Sequence, residues 1–154
     1  MRFFLDENTP VNVATYLRTI FRNKHEFAHP CLDDLDNLRG LDDVELFARL
    51  SGLSFDCVLT NDLKQATRRD ELQALYDSGL SWIGMKPTGN ALEMINGLCG
   101  GFMLAVADFV RDTPEESTLI TANKPNTPSA SKRKLMRDEL SKQRNWKAPQ
   151  NRKN

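Results

Sequence analysis

"MRFFLDENTP", residues 1–10, is the stretch whose reading decides the fold. Arg2-Phe3-Phe4-Leu5 is a short apolar run of the kind that becomes a buried strand. Asp6, Glu7 and Asn8 follow it at once, and Pro10 comes two residues later. A turn needs one such polar residue, not three. Thr9 offers an N-cap and Pro10 suits the first position of a helix, so residues 9–21 read as helical, with Val11, Ala14, Leu17 and Ile20/Phe21 at helical spacing. With a cap already available at Thr9, the acid at Asp6 is surplus to local structure and is a candidate for chemistry.

Working outward, strand and helix alternate. "HEFAH" (25–29) is a second strand closed by Pro30, and the acidic "CLDDLDNLRG" (31–40) is a loop or a single helical turn. "DDVELFARL" (42–50) is a helix opening at Asp42 or Asp43, with Val44, Leu46, Phe47 and Leu50 as its apolar side. "SFDCVLTND" (54–62) is the clearest interior strand and ends in Asn-Asp. A helix over 63–79, a strand "SWIGM" (81–85), a long helix over 91–112 and a last, edge strand "STLITA" (117–122) complete the pattern. Such alternation predicts an α/β fold, a mainly parallel sheet covered on both faces.

In that architecture the strand carboxyl ends share one edge, and ligands bind in the crevice there. Asp6 and Asp62 both fall at strand ends, and the helix starting at Asp42-Asp43 can bring a third carboxylate, with Glu45 further in. Crowded carboxylates raise one another's pKa values, and a divalent cation removes the conflict. An all-oxygen set selects a hard ion, Mg²⁺ or Mn²⁺, and such ions serve phosphodiester hydrolysis. Capping and turn formation are the competing explanation for each acid alone, most strongly for Asp42. His25 and His29 have no cysteine cluster beside them and read as surface or capping residues, not zinc ligands. "CGG" (99–101) lacks the Lys-Ser/Thr of a phosphate loop and reads as close helix packing.

The formal net charge is zero, but its distribution is uneven. Residues 1–123 hold 11 Lys and Arg against 19 Asp and Glu, a net −8; residues 124–154 hold 10 against 2, a net +8. Two parts are therefore expected: a domain over 1–123 and a basic, flexible extension over 124–154, rich in Pro, Ser, Asn, Lys and Arg, in which "KRKLMRDELSKQ" can form a helix on a partner. Three cysteines with no C-x-x-C pair suit reduced thiols and a cytoplasmic setting. The apolar stretch 94–107 is shorter than a membrane span and is broken by glycines, so it is expected as a buried helix.

"RFFLDENTP", "DDVELFARL" and "CVLTND", in this order and spacing, resemble the PIN-like family of small bacterial proteins, relatives of the PIN-domain ribonucleases of toxin–antitoxin pairs. The match spans roughly residues 1–85. The resemblance implies a Rossmann-like, three-layer PIN-type fold and a Mg²⁺ or Mn²⁺ ribonuclease site. It implies that Asp6, Asp43 and Asp62 bind the metal, with Glu7 and Glu45 completing the set or positioning water, and that Thr60 and Asn61 orient ligands or phosphate. The family continues Thr-x-Asp with a further Asp and then Phe, whereas Leu63, Lys64 and Gln65 follow here, so one acid is absent unless Asp70 or another group replaces it.

The expected activity is thus an endoribonuclease, as the toxin of a toxin–antitoxin pair, with RNA as substrate, an antitoxin protein as partner and a homodimer as its assembly. Asn8, Thr60, Asn61, Lys64, Arg68 and Arg69 are the candidate RNA-side residues. Two rivals stand beside it. A PIN-like protein without catalysis would use the acidic edge or the basic extension to bind a partner. A receiver-like phosphoacceptor also places acids after its first and third strands, but "SWIGMK" supplies only Lys86 of its later residues.

Overall fold

The computed structural model describes residues 1–22, 24–123, 125 and 132–144. The strands are β1 (Arg2–Leu5), β2 (Glu26–Ala28), β3 (Cys57–Thr60), β4 (Ser81–Gly84), β5 (Thr118–Thr121) and β6 (Lys132–Leu135). The helices are α1 (Val11–Ile20), α2 (Asp43–Gly52), α3 (Arg69–Asp77), α4 (Ala91–Arg111) and α5 (Met136–Arg144). The strands form one sheet in the order β2-β1-β3-β4-β5-β6, parallel throughout except for the antiparallel β5–β6 pair. This is the expected α/β architecture of three layers.

Both faces of the sheet are covered, which is why its central strands read as unbroken apolar runs. Phe3 and Leu5 of β1, with Cys57 and Leu59 of β3, pack under Val13, Ala14 and Leu17 of α1 and Leu98, Phe102 and Val106 of α4. Phe4, Val58 and Trp82 point the other way, against Leu46, Phe47 and Leu50 of α2 and Leu72 and Leu75 of α3. The alternation of side chains along each strand splits one apolar run between two cores. Close approach requires Gly101 in α4: a Cβ there would lie 2.2 Å from Met85 Sδ and 2.8 Å from the Asn123 carbonyl oxygen.

The sheet order reverses direction once. β2 lies on one side of β1 and β3 on the other, so the switch point falls at the carboxyl end of β1, where α2 and α3 begin on one face of the sheet and leave a crevice.

Four expectations need correction. β5 is not an edge strand, because β6 pairs outside it over Thr118–Thr121 and Lys132–Leu135. The described part of the expected flexible extension, 132–144, packs on the domain. Its strand needs only backbone partners, and Met136 and Leu140, 0% and 5% exposed, enter a core already built by other elements. Composition underrated it because two apolar side chains suffice where neighbouring elements supply the rest of the core. Residues 126–131 and 145–154 lie outside the described residues.

The other two corrections concern helices. α4 has 21 residues and is long and apolar enough to cross a membrane by length and composition, so the length argument fails. Its Leu98, Phe102, Ala105, Val106 and Phe109 are nonetheless buried in the core. At α1, Pro10 takes the N-cap position with no side-chain cap bond. The Thr9 hydroxyl is buried without a partner.

Candidate active site

The crevice is a pocket of about 350 Å³ lined by Asp6, Glu7 and Asn8 after β1, Asp42 and Asp43 at the start of α2, and Arg68 and Glu71 at the start of α3. A larger opening of about 620 Å³ runs along the β2 edge, among Arg2, Arg18, Glu26 and Asp33. Its charges are already paired, Arg2 with Glu26 at 2.7 Å and Arg18 with Asp33 at 2.5 Å, so it holds no acid in search of a counterion. The crevice does.

Asp6 leaves β1 while still paired with β3, its N–H donating to the Leu59 carbonyl at 3.0 Å. Its side chain is buried, and Oδ2 accepts a hydrogen bond from Thr60 Oγ1 at 2.9 Å. Burial raises its pKa; the Thr60 and Asn8 side chains and the Glu7 backbone N–H oppose that rise, and the Glu7 charge adds to it. Thr60 Oγ1 also accepts from the Asp62 N–H at 3.0 Å, so one hydroxyl braces both loops.

Asp42 and Asp43 divide two tasks. Asp42 caps α2, its Oδ1 accepting from the Glu45 N–H at 2.9 Å. That leaves Asp43 free to face the pocket. Its Oδ1 accepts from Gln65 Nε2 at 2.7 Å. Its pKa is pushed up to about 6, first by burial, then by the nearby charges of Glu71 and Asp6, against a lowering by the Gln65 hydrogen bond.

Glu71 is the acid that sequence reading missed. Arg68 donates to its Oε1 at 2.7 Å, while Oε2 is buried with no hydrogen-bond partner. Only 14% of the side chain is exposed. The signal was present as Arg68-x-x-Glu71 at the head of a helix, but an i,i+3 ion pair on a charged helix reads as a solvated face. Asp70, the acid weighed as a replacement for the missing one, lies elsewhere, beside Val44 and Ala48.

Other expected residues take different places. Asp62 is partly buried, outside the residues lining the pocket, and its Oδ1 accepts from the Lys64 N–H at 2.9 Å. Glu45 is absent from the lining too and pairs with Arg49 at 2.6 Å. Glu7 accepts from the Gly40 N–H at 3.2 Å, tying the β1 loop to the segment before α2. Asn61 Nδ2 donates to the Asn8 carbonyl at 2.9 Å, so this pair staples the two strand-end loops together. Lys64, Arg68 and Arg69 are exposed, and of these Arg68 lines the pocket. His29 is a further correction: it is fully buried, Nε2 donating to the Thr9 carbonyl at 2.8 Å and Nδ1 accepting from the Cys31 N–H at 3.1 Å. It locks the β1 and β2 loops behind the pocket.

Does this donor set fit a divalent cation? Among the described residues no three His, Cys, Asp or Glu side chains converge as a ready-made metal-ligating group. The chemistry nevertheless suits a hard cation. Asp6, Asp43 and Glu71 line one pocket, burial and then the charges of Glu71 and Asp6 push Asp43 up, and Glu71 Oε2 is buried with no donor except the proton of a neutral Asp43. A cation would relieve all three conditions at once.

An α/β protein with acids gathered at the switch point of a parallel sheet is the class that the fold and pocket define. The sequence matches the family model of the PIN like domain over residues 1–86, more than half of the 154-residue chain, and the protein belongs to that family. Comparison with curated proteins and with solved structures gives no match.

Proposed function

We propose that the protein is a Mg²⁺- or Mn²⁺-dependent phosphodiester hydrolase acting on RNA, an endoribonuclease of the PIN-like type. The observation that carries this reading is the unsatisfied Glu71 Oε2 beside Asp43 and Asp6 in one pocket. Asp6, Asp43 and Glu71 would hold the metal; Asp62 and Glu7, at the ends of the same strands, are the further acids of the family pattern. When bound, the cation supplies Lewis-acid polarisation of the phosphodiester and lowers the pKa of a bound water.

The chain's own residues set the stage. Thr60 orients the Asp6 carboxylate, and Gln65 that of Asp43. Asp43, pushed up to about 6, keeps its proton below that pH and would give it up there on holding a cation. Arg68 stands at the pocket with its charge on Glu71, and Lys64 and Arg69 lie exposed nearby in sequence, so these three supply positive charge to a phosphate backbone in an otherwise acidic domain.

The test is cleavage of single-stranded RNA with and without Mn²⁺ by the wild-type chain and by Asp6→Asn and Asp43→Asn. Metal-dependent cleavage lost in both variants supports the reading; cleavage that survives both, or none in the wild type, overturns it. The role of toxin, with an antitoxin partner and a cytoplasmic RNA target, belongs to the same proposal. Expression should arrest growth in the wild type and not in Asp6→Asn. A second reading, a PIN-like interaction protein without turnover, is favoured by Lys64 at the place of a family acid and by the lack of a closed three-ligand group among the described residues. Weak Mn²⁺ binding with no turnover would select it.

A further inference from the structure

Behind the pocket, three residues that no acid-based reading would choose form a continuous chain ending on Asp43. Gln65, in the loop between β3 and α3, is 2% exposed. Its Oε1 accepts from the indole Nε1–H of Trp82 at 3.3 Å, and its Nε2 donates to Asp43 Oδ1 at 2.7 Å. The indole N–H can only donate, so it must face the amide oxygen, and the amide nitrogen is thereby turned onto Asp43. The orientation has no alternative that satisfies both neighbours.

The indole is itself held in place. Trp82 is 1% exposed, and a Cβ on Gly84 would lie 1.9 Å from its six-membered ring. The glycine at the end of β4 is the bed on which the indole lies, and any side chain there would push the ring away. Gly84, Trp82, Gln65 and Asp43 therefore form one sequence of contacts from the middle of the sheet to the pocket.

We propose that Gln65 is a positioning residue: anchored by Trp82, it holds the Asp43 carboxylate in the orientation that metal and substrate require. The proposal rests on the metal-dependent reading above. Asp43 is crowded by Glu71 and Asp6, and without a fixed donor on Oδ1 the repulsion would swing it out of the pocket. Outer-shell hydrogen bonds of this kind commonly change metal affinity by about 10–100-fold.

The experiment has a metal-free arm and a metal arm. In the first, the Trp82 indole N–H resonance is followed by NMR in a Trp146→Phe background, which leaves Trp82 as the only tryptophan. Asp43→Asn should move that resonance when Gln65 is present and leave it unmoved in Gln65→Met. No movement in either background overturns the relay. In the second arm, calorimetric Mn²⁺ titration of Gln65→Met should show affinity weakened by about 10-fold or more. A well-folded Gln65→Met with wild-type Mn²⁺ affinity would make Gln65 a purely structural amide and overturn the proposal. Should Gln65→Met not fold, Trp82→Phe decides: it frees the amide to turn, and affinity is expected to fall several-fold, an unchanged value being the contrary result. Should the wild type take up no Mn²⁺, the proposed function fails by itself, and the indole response alone decides whether the relay exists.

Discussion

Asp43 carries the sharpest consequence at the scale of single residues. It titrates at about 6 in the folded chain against an ordinary value of 3.8. Between those values the folded state binds more protons at this residue than the unfolded chain does, so the contribution of Asp43 to stability is fully present below about 3.8 and is lost as pH rises through 6. Above that, the metal-free protein carries the full cost of an ionised Asp43. Asp43→Asn, which keeps the acceptor for Gln65, should therefore be more stable than wild type near pH 7.5 in EDTA. The gain is about 1 kcal/mol once the residue's partial exposure is allowed for, and it should vanish below about pH 4. Urea melts across that range measure it. A wild type that gains stability relative to Asp43→Asn as pH rises through 6 would show that Asp43 is stabilised as an anion. Asp6→Asn should likewise abolish Mn²⁺-dependent cleavage while leaving the metal-free melting temperature unchanged or higher, since removing a buried charge relieves repulsion. A much lower melting temperature would mark Asp6 as structural.

Elements tell how much could be read from the chain. β1 and β3 were legible because strands buried on both faces must be continuously apolar, and their polar ends then stand out. Asp42 and Asp43 were legible as a helix start; which one caps and which faces inward depends on the helix phase, and that is a tertiary fact. Asp43 was found and Glu71 was not for a related reason: both sit near helix N-termini, but only the packing of α3 beside α2 turns Glu71 inward. Gln65 was visible only as a departure from a pattern, because its role depends on an indole that arrives from another strand. β6 and α5 were misread since their apolar content is small, whereas their stability comes from edges and cores supplied by others. The consequence is specific. Met136→Ala should destabilise the protein by about 2–5 kcal/mol, as for other buried large-to-small changes. A change under about 0.5 kcal/mol in urea unfolding, the range of an ordinary surface substitution, would return residues 132–144 to the status of a dispensable extension. Asn90→Ala, which breaks the capping box Asn90–Glu93 at the head of α4, should cost about 1 kcal/mol by the same measurement.

For the whole molecule, the division of charge matters more than its zero sum. A net −8 over residues 1–123 repels a polyanion, and the +8 over 124–154 offsets it. Within the basic part, Arg137 pairs with Glu116 of the acidic part, so part of that net charge is met within the folded chain. Residues 145–154 still bring Lys147, Arg152 and Lys153. Deleting 145–154 spares β6 and α5, so the shortened chain should fold and keep its cleavage chemistry. Its RNA affinity should fall, and the dependence of that affinity on salt should flatten by about 0.7 in log–log slope for each phosphate the shortened chain no longer neutralises. Identical slopes would assign the end of the chain to something other than RNA.

The central claim is that the crevice between the end of β1 and the starts of α2 and α3 is built to hold a divalent cation on Asp6, Asp43 and Glu71. Calorimetric titration of the metal-free protein with Mn²⁺ at about pH 7.5 tests it most directly, with wild type, Asp43→Asn and Glu71→Gln run side by side. Saturable binding is expected in the wild type, accompanied by proton release when the titration is repeated below pH 6, where Asp43 must give up its proton to the metal. Both variants should bind at least about 10-fold more weakly. Binding that is absent in the wild type, or unchanged when Asp43 and Glu71 lose their charge, would contradict the claim.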